Sequence, residues 1–480
     1  MNLYLSILIL YSALLVGLAL FISKSVKQAS DFFVASRRLG TGLLFSTLLA
    51  ANIGAGSTVG AAGLGYERGL SAWWWVGSAG IGSLLLAFTV GPRLWKIAAK
   101  NHFYTVGDYL EFRYDRRMRV LVACLLWLGA LTILAGQLIA LAWILEVAAR
   151  TPKWLGCLLG GMVVTLYYSL GGLISAVWVN TLQLVVKLVG FSLAVPFALS
   201  LAGGWGHVQE RLLNSLEIAG KSTSYFSLGG DGPAGVLGYI FLLVPSFLVS
   251  PGLLQKIYGA RGPSVVRLAV LLNALGLLLF AIMPPLMGMV ARSSYPDLRN
   301  RELALPTVMV NLLPHWLGTL TLAAIFSAEI SAADAVLSML TTSFAKDLMK
   351  GWLYPSLSET RLLHVTRLTS VVAGTLGVVV AVWIPTVITA LQAFYGLLTV
   401  ALFVPLVFGL YWKGPSASAA LLATGASVPV TLGIDIFTSG KGFSIFPPVA
   451  CGIFLEATIF VLMTVTDSVW LGKRNSKSKE

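Results

Sequence analysis

Polar and ionisable residues stand in three stretches of the chain whose other residues are apolar enough to sit in hydrocarbon. The first is Ala50-Ala51-Asn52-Ile53-Gly54-Ala55-Gly56-Ser57, the second pairs Asn180 with Lys187, and the third is Ala328-Glu329-Ile330-Ser331-Ala332-Ala333-Asp334. A polar group in hydrocarbon is costly, so it usually marks a substrate or ion pathway. The chemistry implied is binding and translocation of a solute or ion. Nothing points to bond breaking. The four histidines (His102, His207, His315 and His364) are scattered over loops and span ends, and Cys124, Cys157 and Cys451 lie in or beside apolar runs. Neither set forms a metal site, and the cysteines read as free buried thiols. A membrane-embedded acyl or glycosyl transferase would need a His/Asp/Arg cluster near one face, which these histidines do not supply. No Walker-type signature accompanies the chain, so neither a nucleotide nor any other cofactor is expected.

The elements that hold these residues are membrane spans. The chain has 480 residues, 57% hydrophobic and 11% charged, with a mean hydropathy of +0.86. Soluble domains carry about 25% charged residues. Thirteen apolar runs recur at 3–22, 42–64, 70–91, 118–148, 154–170, 174–201, 235–254, 264–291, 316–345, 362–383, 386–411, 416–434 and 445–467. Each is near the roughly 20 residues needed to cross a bilayer. The expectation is an all-α polytopic membrane protein, with the lipid bilayer as its solvent and no separate soluble domain.

A net charge of +14 invites a nucleic-acid reading. Its distribution argues against one. With the N-terminus outside, 23 of the 33 cations fall in cytoplasmic segments, among them Lys24, Lys27, Arg119, Lys256 and Lys479, while nine fall outside and Lys187 lies within a span. This is the positive-inside bias, so the basic balance reports orientation. The C-terminus is then cytoplasmic. Leu3–Ile22 lacks a basic leader and a small-residue cleavage site, so it reads as a retained helix.

Two spans carry signs of interruption. Gly54, Gly56, Gly60 and Gly63 surround Asn52 and Ser57, and Pro245 and Ser250-Pro251-Gly252 interrupt run 235–254. Glycine in membrane helices commonly permits close packing. A matched pair of interruptions, five spans apart, points instead to inverted repeats with a binding site at the breaks. The expected organisation is an extra helix and loop at 1–41, a first repeat at 42–201, an external loop at 202–234 with a short surface helix near Val208–Ile218, a second repeat at 235–411, and two further spans in 412–480.

Four stretches then show a resemblance to the sodium/solute symporter family, which has a LeuT-type fold. They are Ala50-Ala51-Asn52-Ile53, Gly171-Gly172-Leu173 with Trp178-Val179-Asn180-Thr181-Leu182-Gln183, Gln255-Lys256-Ile257-Tyr258-Gly259-Ala260-Arg261, and Pro405-Leu406-Val407-Phe408-Gly409-Leu410-Tyr411-Trp412-Lys413. The resemblance implies a secondary active transporter that couples a small organic solute to sodium by alternating access. It also implies that the carbonyls of Ala50, Ile53 and Ala328 and the hydroxyl of Ser331 ligate sodium. A hard cation suits such oxygens, and an unwound helix frees carbonyls.

The chain departs from the family pattern in two places, and two unusual charges accompany them. Ala332 stands where relatives supply a second hydroxyl, and Asn180 stands where many have Asp. Asp334 then reads either as a carboxylate relocated to the eighth core helix, serving a second cation site with Asn180, or as a residue facing loop-side water. Lys187 lies seven residues beyond Asn180, about 10 Å along the same helix face. It reads either as a proton shuttle or surrogate ion in the sodium position, giving a proton-linked or ion-independent carrier, or as half of a structural pair with Glu329. A sensor that has lost transport is a further reading, against which stands the short segment after the last span.

For the solute, the resemblance implies contacts at Asn52, Ser57, the span after Gly69 and Gln392. That span begins Trp73-Trp74-Trp75 and offers no acid to sugar hydroxyls, so a sugar fits less well than a smaller or more apolar solute. The tryptophans are either an interfacial belt or, for at least one of them such as Trp75, part of the pocket. A cationic Lys187 beside the pocket would favour a carboxylate. Glu456, alone in the last span, is expected to face a neighbouring helix or a second copy.

Overall fold

A computed structural model describes residues 3–23, 37–217 and 222–477. Lys24, Lys27, Lys221 and Lys479 lie outside them. Among the described residues, ten helices are long and apolar enough to span a membrane, and three shorter apolar helices cover Tyr4–Leu18, Thr41–Asn52 and Lys153–Leu166.

The first half comprises α1 (Leu3–Ser23), α2 (Thr41–Asn52), α3 (Ala61–Arg68), α4 (Trp73–Phe88), α5 (Val90–Lys100), α6 (Val106–Arg113), α7 (Arg116–Ala149) and α8 (Lys153–Leu201). A short helix α9 (Gly204–Glu217) follows, near the position expected for the surface helix. The second half comprises α10 (Gly232–Val249), α11 (Pro251–Tyr258), α12 (Pro263–Phe280), α13 (Met283–Ser294), α14 (His315–Thr342), α15 (Glu359–Trp383) and α16 (Val387–Tyr411). The chain closes with α17 (Ala417–Phe437) and α18 (Pro448–Lys477).

Both expected interruptions are present, with different causes. Between α2 and α3 the helix opens at Ile53, with φ −89° and ψ 88°. It resumes through a wide turn at Gly56–Gly60, where the Gly60 N–H bonds Ala55 O at 2.8 Å. A Cβ on Gly54 would lie 2.3 Å from Ala332 Cβ, so glycine lets the break rest directly on α14. Between α10 and α11 the hinge is Ser250, with ψ 117°, because the following Pro251 disfavours helical backbone in the residue before it.

Three expectations change. The runs 154–170 and 174–201 are joined by continuous helical backbone in α8, 49 residues long. At 1.5 Å per residue a straight helix of that length would measure about 74 Å, more than twice the hydrocarbon thickness. Its partners change along its length. Ser169 Oγ meets Ser370 Oγ, whereas Thr181 meets Ser46 and Lys187 meets Ala50. Run 264–291 divides into α12 and α13 at Ala281–Ile282, just before Pro284-Pro285. Of the three free cysteines only Cys157 is buried; Cys124 is exposed.

The buried centre is α14, packed along α8 and against α7 and α2. Every residue from Thr321 to Ala333 is buried, so its polar side chains must find partners inside the protein. Glu456 has one: Thr424 Oγ1 donates to its Oε1 at 2.8 Å, joining α18 to α17.

Candidate functional site

The break after α2 frees carbonyls at the depth of α14 and α8, and four residues implied as ligands meet there. The donor among them is a lysine. Lys187 Nζ donates to Ala50 O at 2.6 Å, to Ile53 O at 3.0 Å and to Ser331 Oγ at 2.5 Å. Ser331 Oγ in turn lies 2.8 Å from Ala50 O and 3.1 Å from Ala328 O. Three acceptors match the three N–H bonds of an ammonium. The side chain is fully buried, so the outward-snorkelling alternative open to lysines is not taken. Ala332 places its methyl against Gly54, and the ammonium stands where the carbonyls of Ala50 and Ile53 and the Ser331 hydroxyl converge.

Glu329 does not form a contact ion pair with Lys187, contrary to the structural-pair reading. Its Oε1 accepts from Thr58 Oγ1 at 2.7 Å, while Oε2 is buried without a partner. It balances the ammonium through space. Asp334 is also buried, not in loop-side water. It lies against Asn180, whose Nδ2 reaches Thr47 Oγ1 at 3.4 Å. Lys256 attracts Asp334 through space, without a contact ion pair. Lys256 was assigned above to a cytoplasmic segment. It is 3% exposed, with Nζ on Thr47 O at 2.8 Å. α11 is only eight residues long, so a lysine near its end still reaches the core. Two lysines and two carboxylates therefore surround the breaks, with formal charges summing to zero.

A central cavity of about 90 Å³ lies between the two breaks, and Asn52, Ser57, Gln137, Trp75, Ser250 and Lys256 line it. Asn52 Nδ2 is held by Asn273 Oδ1 at 3.0 Å, and Ser57 Oγ caps the break by accepting the Gly54 N–H at 3.0 Å. Of the three tryptophans, Trp75 lines the cavity, set edge-on to Tyr239 and Tyr395. Trp74 instead donates to Leu228 O, in the segment between α9 and α10.

Gln392 does not reach this cavity. It lines a separate cleft with Arg68, Tyr239 and Asp435. Leu391, Phe394 and Tyr395 are the residues of α16 that face the cavity, and a step of one residue turns a helical side chain by about 100°.

Gln137 was not singled out from the sequence, although it is the one amide in the apolar run 118–148. Its Oε1 accepts the Ala55 N–H at 2.8 Å. Gln137→Leu is therefore expected to strand a buried donor and cost about 1–3 kcal/mol, read as a fall in melting temperature.

The arrangement can bind a small solute between two broken helices and hold a cation against the first of them. A family model described as the sodium:solute symporter family matches residues 32–425. The sodium/glucose cotransporter of Vibrio parahaemolyticus is 23% identical over 460 residues, covering 88% of this chain and 83% of the relative. The sodium/pantothenate symporter of Escherichia coli (strain K12) is 28% identical over 416 residues, covering 82% of each. Among solved structures, the substrate-bound outward-open state of a Na+-coupled sialic acid symporter superposes with a TM-score of 0.81 at 19% identity, covering 96% of this chain and 98% of that one. That likeness shows the fold.

Proposed function

The chain belongs to the sodium:solute symporter family; it is a multi-pass membrane transporter of the sodium-coupled symport class, not an enzyme, and we propose that it moves a small organic solute by alternating access around the central cavity. The observation that carries this reading is the cavity between two helix breaks, one in each half of the chain. Outward-open and inward-open states would exchange around it, and a bound ion would bias which state holds the solute well. We place the protein in the cell membrane with its N-terminus outside and C-terminus in the cytoplasm, on the charge distribution.

The coupling ion has two readings. In the first, sodium binds the oxygens of Ala50, Ile53, Ala328 and Ser331, and the Lys187 amine moves aside. The donor set suits a hard cation. In the second, the Lys187 ammonium is the resident cation and couples α8 to the first break in place of sodium. The specific observation favouring it is that all three of its N–H bonds are used on this same oxygen set. Asp334 and Asn180 would then be the only pair left for a second cation, with Lys256 already beside them.

Melting temperatures in sodium, potassium and choline chloride at equal ionic strength separate the two readings. A ligand bound only by the folded state stabilises by about 2.7 kcal/mol at a hundred times its Kd. A sodium-specific rise in the wild type, lost in Ser331→Ala, supports the first. No rise in the wild type, but one in Lys187→Ala, supports the second.

A further inference from the structure

We infer that the central cavity is built for a small monocarboxylate, with Lys256 as its anchor. The inference rests on reading that cavity as the solute site and adds the class of solute. Lys256 is the only lysine, arginine or carboxylate residue lining it among the described residues. Asp334 and Glu329 do not line it. Lys256 is 3% exposed and its ammonium makes one hydrogen bond among the described residues, to Thr47 O, so two of its three N–H bonds have no acceptor there. A buried donor left unmatched is costly, and a carboxylate offers acceptors for both.

The backbone supports the same sign of charge. The N-terminal turn of α11 forms part of the wall through Ser250, Gly252 and Leu253. Its first N–H groups have no partner within the helix, and that end carries the positive pole of the helix dipole. A Cβ on Gly252 would meet nothing within 4 Å, so the wall is open there. The lining also includes the apolar side chains of Phe247, Leu391 and Phe394. Its volume, about 90 Å³, is below the roughly 150 Å³ that admits benzene. The solute that fits carries one carboxylate and a short apolar tail. Lys187 does not line the cavity; the lysine that does is Lys256. Asp334 attracts Lys256 through space, and an arriving carboxylate would compete with it.

The test is equilibrium binding to the purified full-length protein of acetate, propionate, butyrate, lactate and pyruvate, each beside its neutral amide. At least one carboxylate is expected to bind, with its amide about tenfold weaker or more. Lys256→Gln is expected to remove that difference, and Lys256→Arg to retain part of it. Asp334→Asn, which removes the competing carboxylate, is expected to tighten binding. The assignment is overturned if no carboxylate binds, if amides bind as well as acids, if folded Lys256→Gln binds unchanged, or if Asp334→Asn weakens binding. Uptake of the labelled acid into proteoliposomes is scored separately. Lys256-dependent binding without uptake leaves the solute class standing and removes the carrier reading. Uptake of a neutral solute, with no acid bound, does the opposite.

Discussion

Lys187→Met is expected to lower the stability of the folded protein by about 3–5 kcal/mol and to abolish transport. The magnitude is that of removing one charge from a buried, compensated set. Methionine preserves most of the volume, so the loss is electrostatic. It removes three hydrogen bonds at 2.5–3.0 Å and leaves the Ile53 carbonyl and the Glu329 carboxylate without their cation. Lys187→Arg is not expected to rescue. The site is fully enclosed, and a forked guanidinium cannot direct its five donors at three oxygens arranged for an ammonium. Lys187→Ala is the informative partner, because it opens the same oxygens to a free ion. The measurement is melting temperature and proteoliposome uptake for the three variants in sodium and in choline. A near-neutral Lys187→Met would mean that the three contacts contribute little and that the first helix break is held by other bonds.

How much of this was legible in the sequence depends on what each residue had to announce. The breaks were visible because glycine and proline act on their own backbone. Gly54 and Pro251 signal an interruption whatever surrounds them. Lys187 is visible because a lysine more than three turns from either end of an apolar run has no ordinary explanation. The four oxygen donors came from the resemblance, and the chain brings them to one point around that lysine.

What was not legible depends on side-chain reach and helix rotation. Lys256 sits at the end of a run, where positive charges are routinely cytoplasmic. Only the short α11 and the position of Thr47 O reveal that its ammonium turns inward. Gln392 is one residue from Leu391, and nothing in a uniformly apolar helix marks which of its faces meets the cavity. The gap at 171–173 looked like a loop, yet the helix continues through it. Arg119 was counted as a solvated cytoplasmic charge. In the fold it is 6% exposed and surrounded by carboxylates.

Arg119→Met is accordingly the second substitution expected to be severe. The guanidinium reaches Asp347 Oδ1 at 2.8 Å, Asp108 Oδ1 at 3.0 Å and Glu111 Oε2 at 2.5 Å, and it also bonds Lys346 O at 3.1 Å. It thereby ties α6 and α7 to the Ser343–Leu353 extension of α14, on the face assigned to the cytoplasm. Asp347 also accepts from Thr105 Oγ1 at 2.7 Å, but a hydroxyl cannot offset two neighbouring carboxylates. Without the arginine, Asp108 and Asp347 are left facing each other, with side chains 13% and 5% exposed. The expected cost is about 3–5 kcal/mol. Lysine should recover only part of it, because a point charge cannot serve three carboxylates and a carbonyl at once. The same network joins the segments that must separate if the solute is to leave on this side. Its loss should therefore be read locally as well as globally. Hydrogen exchange is expected to rise in Val106–Arg113 and 343–353 before it rises in α8. A uniform rise across the whole bundle would show that Arg119 supports overall stability alone, with no particular hold on this face.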